Sequence, residues 1–285
     1  MPFPNRPLEL YTYSAEQGIA QQQWRDILSS EYCRYLGRKC DKIRKSQPDV
    51  TIGTCMVGYV GEPVVICPWR FLQRQQLFLD TLHLLRNHRP GNQLHVVPEV
   101  AIPGGSVDYF VVSVYRGAIQ DYLGLEIQTL DTTGTVWPSR QRFIVDELGI
   151  PLEAPRRETQ RSYGMNWKMT AKTILVQMHH KAETLELLDK KLILVIQDVF
   201  FRYIVGEFST TSLRDSELSD SVQIHVYSMF QALDGSFSLE LSSRHSTNSV
   251  GVEAMLGLRQ SAQMSEQELL ANLQAKLSDA TLLQI

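Results

Sequence analysis

Asp108, Glu126 and Gln128 are the residues of this 285-residue chain whose types and spacing best suit chemistry. They fall in the stretch QLHVVPEVAIPGGSVDYFVVSVYRGAIQDYLGLEIQTLDTTG, residues 93–134. Two carboxylates with a polar oxygen alongside form the hard-oxygen pocket that Mg²⁺ prefers. An ion held there can bind a phosphate oxygen, lower the pKa of a water and stabilise a departing oxyanion, as metal-assisted attack on a phosphodiester requires. Glu99, one residue after Pro98, is a further acid in the same stretch. Ordinary strand-end acids are the plain alternative for Asp108 and Glu126. Against it stands the cost of acids within strongly apolar strands unless they are paired or metal-bound.

Three strands must position these side chains. Leu94–Ile102 is apolar and β-branched, and Pro103-Gly104-Gly105 turns the chain. Val107–Tyr115 is the second strand and Leu123–Leu130 the third. Period-2 alternation puts Glu126 and Gln128 on one face and Leu125, Ile127 and Thr129 on the other. A meander of this kind brings Asp108 and Glu126 together at one end of a sheet. Around it the apolar spacing predicts a helix over Trp69–His88 that ends at Pro90-Gly91, with His83 and His88 as surface groups. A second long helix is predicted over Asn166–Leu188. On it Lys168 and Lys172 share a face that is either DNA-facing or simply exposed, and the adjacent His179 and His180 do not face each other as metal ligands would. Lys191–Gln197 reads as a buried parallel strand, followed by a short helix or strand extension over Asp198–Val205. Ser221–Ser242 reads as a hairpin around Asp234-Gly235, and Ser243–Ser249 either as a polar surface turn or as residues that read base edges or phosphates. Ser14 is expected to cap a helix over Ser14–Ser29, and Ser265 with Glu268 to form a capping box for a C-terminal helix.

Cys33, Cys40, Cys55 and Cys67 are all the cysteines of the chain. Four thiols so close together suit a tetrahedral metal site in a compartment with little use for disulfides. Four thiolates leave no open coordination position, so such a site is structural, and it stabilises a segment without a core of its own. Four buried apolar cysteines are the alternative. Arg34, Arg38, Lys39, Lys42, Arg44 and Lys45 cluster around the second cysteine with Asp41 as the lone acid among them. That cationic run is either a DNA-facing patch or a solvated face. Arg156, Arg157 and Arg161 form a second small cluster with the same two readings.

Composition bounds the rest. The net charge is -3, from 28 basic and 31 acidic residues, so bulk charge does not announce a nucleic-acid binder. Hydrophobic residues make up 43%, a globular figure that excludes wholesale disorder. No run reaches the ~20 apolar residues of a membrane span, and the N-terminus lacks a signal-peptide pattern. A cytoplasmic protein without membrane contact is the expectation.

The order strand–turn–Asp followed by Glu-x-Gln resembles the PD-(D/E)xK nuclease superfamily, in which the last position is usually Lys. The Gln128 form resembles the NotI-type restriction endonuclease family. VPEVAIPGGSVDYFVVS, GLEIQTLDTTG, NWKMTAKTILVQMHHKAE and KKLILVIQDVFFRYI are similar to that family's active-site stretch and its following helix and strand. The resemblance runs from about Cys33 to Gly257. It implies an α/β fold, a mixed-sheet PD-(D/E)xK nuclease core (residues 70–285) behind an N-terminal four-cysteine metal-binding module (residues 1–69). Asp108 and Glu126 match the family's catalytic metal ligands, and Gln128 the position that replaces Lys. Glu99 is the candidate for a further acid that holds a second ion or a water. The four cysteines match a thiolate site described as holding iron, and zinc fits the same ligands. The implied activity is Mg²⁺-dependent, site-specific cleavage of double-stranded DNA to 5′-phosphate ends by a homodimer. Two other readings stand beside it: a non-catalytic DNA-binding or regulatory protein with a decayed nuclease fold, and a repair- or homing-type nuclease.

Overall fold

In the computed structural model the described residues are 2–44, 47–152, 163–257, 265–276 and 278. Arg156, Arg157, Arg161 and Lys45 lie outside them. Two sheets carry the fold. The smaller, order β2–β1–β3–β4, is built from β1 (Pro7–Leu10), β2 (Tyr13–Ser14), β3 (Thr54–Tyr59) and β4 (Glu62–Val65). The larger has seven strands. These are β5 (Gln93–Ile102), β6 (Gly105–Tyr115), β7 (Ala118–Gln128), β8 (Leu192–Gln197), β9 (Arg214–Asp215), β10 (Val222–Gln231) and β11 (Phe237–Thr247). Their order is β9–β11–β10–β8–β7–β6–β5. The β7–β8 and β8–β10 pairs are parallel and the others antiparallel, so the sheet is mixed.

Side-chain alternation gives this sheet two apolar faces. On one face pack α1 (Trp167–Leu187), α2 (Asp198–Glu207) and α3 (Ser249–Met255), through Ile174, Met178, Leu185, Phe200, Ile204 and Val252. Leu123, Leu125, Ile127, Ile193 and Val195 face the other way, onto Phe71, Leu77, Phe78 and Leu84. The small sheet contributes to both clusters, with Val57 and Val64 in the first and Leu8 and Met56 in the second. Strand β8, apolar on both faces as a parallel central strand should be, is buried throughout.

Several sequence expectations hold in outline: the three-strand meander, the long helix, the parallel strand, the Asp234-Gly235 hairpin and the Ser265–Glu268 capping box. Others do not. The helix predicted over Trp69–His88 is instead broken into short helical pieces, Pro68–Gln75 and Leu82–Leu84 of the 3-10 type and Gln76–Leu79 a single α-turn. Arg70 is the reason: fully buried, it pairs with Glu9 at 2.7 Å and donates to the Phe237 carbonyl at 2.9 Å. The chain then turns at Arg74 and Gln75, both with φ of 55°, so that Leu77 and Phe78 reach the sheet. The first helix begins at Gln21, not Ser14, and its preceding residue Ala20 offers no side-chain cap. Ser14 sits in β2, where its hydroxyl donates to the Gly235 carbonyl at 2.6 Å. Ser243–Ser249 is no turn: β11 continues to Thr247, and His245 stacks on Phe201 with centroids 4.6 Å apart. Asp198–Glu207 resolves the open choice there as helix.

The turn between β5 and β6 docks on α1. Thr184 Oγ1 donates to the Pro103 carbonyl at 2.9 Å. Gly104 has φ of 95°, and a Cβ there would stand 2.9 Å from the His180 carbonyl carbon and oxygen. Gly104→Ala is therefore expected to destabilise the protein by about 1–3 kcal/mol, combining left-handed strain with a backbone clash. Denaturant unfolding at unchanged m-value would show it; an unshifted midpoint would mean that this turn does not press on the helix.

Candidate active site

The β6–β7 register, with Tyr109 opposite Leu125, puts Asp108 directly across from Glu126. Residues directly opposite in an antiparallel pair share a face. Leu125 and Ile127 belong to the far side, so Glu126 faces α1. Gly124, two residues back on that face, leaves room for the helix. A Cβ there would lie 3.1 Å from the δ-methyls of Leu185 and Leu192. Leu185 can thus press against the sheet, and Lys181, one helical turn earlier, comes down over Glu126.

Lys181 is the charged neighbour of this pair that the strand pattern did not reveal. Its Nζ stands 2.7 Å from Glu126 Oε1, and the two side chains are only 5% and 4% exposed. Asp108 is half-buried, and its Oδ2 accepts the Ile127 backbone N–H at 2.8 Å. Two carboxylates and one ammonium leave an uncompensated negative charge. Burial pushes Glu126 up to about 7, the neighbouring charge of Asp108 adds to the rise, and Lys181 opposes it. Asp108 is raised by burial too, against the Ile127 N–H and Lys181, while the charge of Glu99 raises it further. Two acids opposed across one face and raised chiefly by burial are oxygen donors of the kind that could hold a divalent cation.

Gln128 is turned away from this pair, and Glu99 flanks it from the outer strand. Gln128 shares the face of Glu126, but its amide donates to the Thr129 carbonyl at 2.6 Å. Glu99 lies across from Asp108, bracketed by the Val107–Val100 and Tyr109–Pro98 pairs. Its φ of 53° breaks the extended backbone, and the residue is exposed on the outer strand β5. A left-handed non-glycine residue in mid-strand is strain of the kind that clusters at working sites.

The four cysteines are free and buried. Cys67 is their common neighbour. Cys55 donates to it and lowers it to about 7, and its charge raises Cys33 and Cys40 on top of their burial. Cysteine thiolates are soft metal ligands, but no three of these four sulfurs lie within 4.8 Å of one another. Among the described residues, the one group of three or more candidate ligands with all ligand atoms within 4.8 Å of one another is His179, His180 and Glu183 on α1. Adjacency on the helix does not keep the two imidazoles apart as expected: their centroids are 5.4 Å apart and tilted by 50°, with Glu183 3.7 Å from His179 and 3.9 Å from His180.

Much of the cationic run near the cysteines is held internally. Arg38 pairs with Asp41 and Lys39 with Glu31, Lys42 donates to the Ile66 carbonyl, Arg34 covers the Tyr13 ring and Arg44 that of Trp137. Lys168 on α1 pairs with Glu207. No helix among the described residues is long and apolar enough to cross a membrane.

A family model described as restriction endonuclease NotI matches residues 38–236, a span that contains the acid pair, Lys181 and three of the four cysteines. No curated protein matches the chain.

The raised carboxyls set a pH dependence. Burial holds Glu126 protonated up to about 7, and a cation taking it as a ligand would have to displace that proton. Ca²⁺ or Mg²⁺ affinity is expected to climb as pH rises through about 7 and then level off, with proton release visible by calorimetry in buffers of different ionisation enthalpy. The same shift works against the cation-free fold. Its contribution to stability is present below the ordinary carboxyl value of 4.5 and is lost as pH rises through about 7. An affinity that ignores pH across that window would show that Glu126 is not a ligand.

Proposed function

This chain belongs to the restriction endonuclease NotI family, and we propose that Asp108 and Glu126 hold the divalent cation with which it cuts both strands of a specific duplex DNA site. The observation that carries this reading is the carboxylate pair, opposed across β6 and β7 on one face and more buried than solvent-exposed acids would be. Mg²⁺ suits a small set of carboxylate oxygens. When bound, it would supply Lewis-acid stabilisation of the phosphate and a lowered pKa for a water.

The protein's own residues do the rest. Asp108, half-buried, opens the pair toward solvent, and the Ile127 N–H fixes its carboxylate orientation. Glu126, buried behind it, is held by Lys181. In the hydrolysis, the oxygen of one water forms a new bond to phosphorus. The P–O3′ bond breaks with its electron pair going to O3′. The water loses one proton to solvent and O3′ gains one from solvent, leaving 5′-phosphate and 3′-hydroxyl ends. Cutting both strands of a two-fold site calls for two such centres, hence a homodimer.

Cys33, Cys40, Cys55 and Cys67 would hold iron or zinc as a closed thiolate site that stiffens the N-terminal segment. The protein as isolated is expected to carry about one equivalent of either metal, and Cys67→Ser to lose it together with thermal stability. Elemental analysis that finds the wild type free of both would remove this part of the reading.

The nuclease reading is tested with purified protein, Mg²⁺ and DNA of known sequence. Defined fragment ends, abolished by EDTA and reduced more than ~100-fold in Asp108→Ala, are expected. Equal cutting by wild type and Asp108→Ala would reject the assignment. Cation binding without any nicking would point to a nuclease fold kept for DNA binding alone. Preference for branched over linear DNA would point to a repair role.

A further inference from the structure

Lys181 holds donors that the fold does not use. An ammonium carries three N–H groups. Among the described residues, Lys181 Nζ meets one acceptor, Glu126 Oε1 at 2.7 Å. Its side chain is 5% exposed. Donors left unmatched in a buried place cost free energy and call for a partner. Gln128, the polar residue nearest in sequence to Glu126 on the same face, has turned its amide to the Thr129 carbonyl.

The placement of Lys181 is built. Gly105 lacks the Cβ that would stand 3.2 Å from Lys181 Cε, Gly104 lets the turn reach the Lys181 backbone, and Gly124 lets Leu185 seat the next helical turn. Thr184 ties the same stretch of α1 to Pro103. A buried ion pair is weak as a stabilising device, since two apolar side chains generally do as well. Gly105 gives the Lys181 side chain its room, while Gly104, Gly124 and Thr184 fix the helix that carries it, and a lysine so placed with donors to spare is suited to meet an anionic substrate.

Resting on the nuclease reading above, we propose that Lys181 is a catalytic residue: from helix α1 it supplies the amine of this site, donating one N–H to a non-bridging oxygen of the scissile phosphate and one to the attacking water while Glu126 keeps the third. Lys181 remains protonated throughout. It gives hydrogen bonds and charge, and the atoms and protons move as already written for the hydrolysis.

The test uses the full-length protein on DNA that the wild type cuts in Mg²⁺. Lys181→Met and Lys181→Gln are expected to lower kcat by ~100-fold or more with KM for DNA changed less than ~3-fold. Ca²⁺ binding, read by calorimetry without turnover, is expected to be retained or tightened, because a competing cation has left Glu126. Adding Gln128→Lys to Lys181→Met is expected to recover about tenfold or more in kcat, since residue 128 shares the face of Glu126. Wild-type kcat in Lys181→Met overturns the proposal, and so does loss of Ca²⁺ binding in parallel with cleavage, which would mark a structural ion pair. If neither uncharged variant folds, Lys181→Arg carries the test through its retained charge. A kcat about tenfold or more below wild type with intact Ca²⁺ binding supports a positioned amine, and an unchanged kcat overturns it. An inactive wild type sinks the nuclease reading and this one with it, whereas an active wild type beside an active Lys181→Met sinks this one alone.

Discussion

The structure turns on a charge imbalance in a half-closed place: Asp108 and Glu126 face each other across two antiparallel strands, with Lys181 as the one cation against them. Charges removed from water are tolerated only when compensated. Here compensation is incomplete, and both carboxyls are pushed up toward their neutral forms. A divalent cation would relieve what the protein leaves unbalanced. The nearby architecture keeps that imbalance in place. Gly124 admits the helix, Gly104 and Gly105 admit the turn, and apolar layers on both faces fix the strands whose register opposes the two acids.

The N-terminal segment solves a different problem with the same physics. Glu9 and Arg70 are buried against each other at 2.7 Å, and Arg70 also reaches the Phe237 carbonyl of the hairpin. That single side chain links the small sheet to the far edge of the large one and breaks a helix to do so. The cations around the cysteines are mostly spent on neighbouring acids and aromatic rings. Their role, as placed, is to wire a segment poor in apolar residues. Arg34 over Tyr13 and Arg44 over Trp137 combine charge with packing in a way that a lysine would not.

What the sequence disclosed follows from which forces are local. Period-2 alternation was enough to place Asp108 and Glu126 on successive strands, and the pairing of β6 with β7 across the short Arg116-Gly117 connection is a short-range event. The long helix and the buried β8 strand were legible for the same reason: their apolar periods are sustained. The turns around Arg70 were not, since a helical spacing over Trp69–His88 was overridden by an ion pair to Glu9, 61 positions earlier in the chain. Ser14 had the chemistry of a cap, but a partner at Gly235 claimed its hydroxyl. Lys181 was hidden for the deepest reason. Its 55-residue separation from Glu126 is closed only by docking α1 on Gly124, and no local pattern records that contact.

An amine carried by a helix differs physically from one carried by the strand beside the acids. A strand side chain takes its position from the sheet register, which changes only if the sheet is broken. Lys181 takes its position from how α1 sits on the sheet, through Leu185 against Gly124 and the Gly104 turn against His180. Sub-ångström movement of the helix would therefore alter the Lys181–Glu126 contact while leaving both carboxylates where they are. Packed interfaces shift between discrete arrangements more readily than they deform. His179, His180 and Glu183 lie on the same turns of α1, and Glu186 accepts from the backbone N–H and hydroxyl of Ser249, the first residue of α3. The position of Lys181 therefore rests on the packing of α1, whereas that of the acid pair rests on the sheet register.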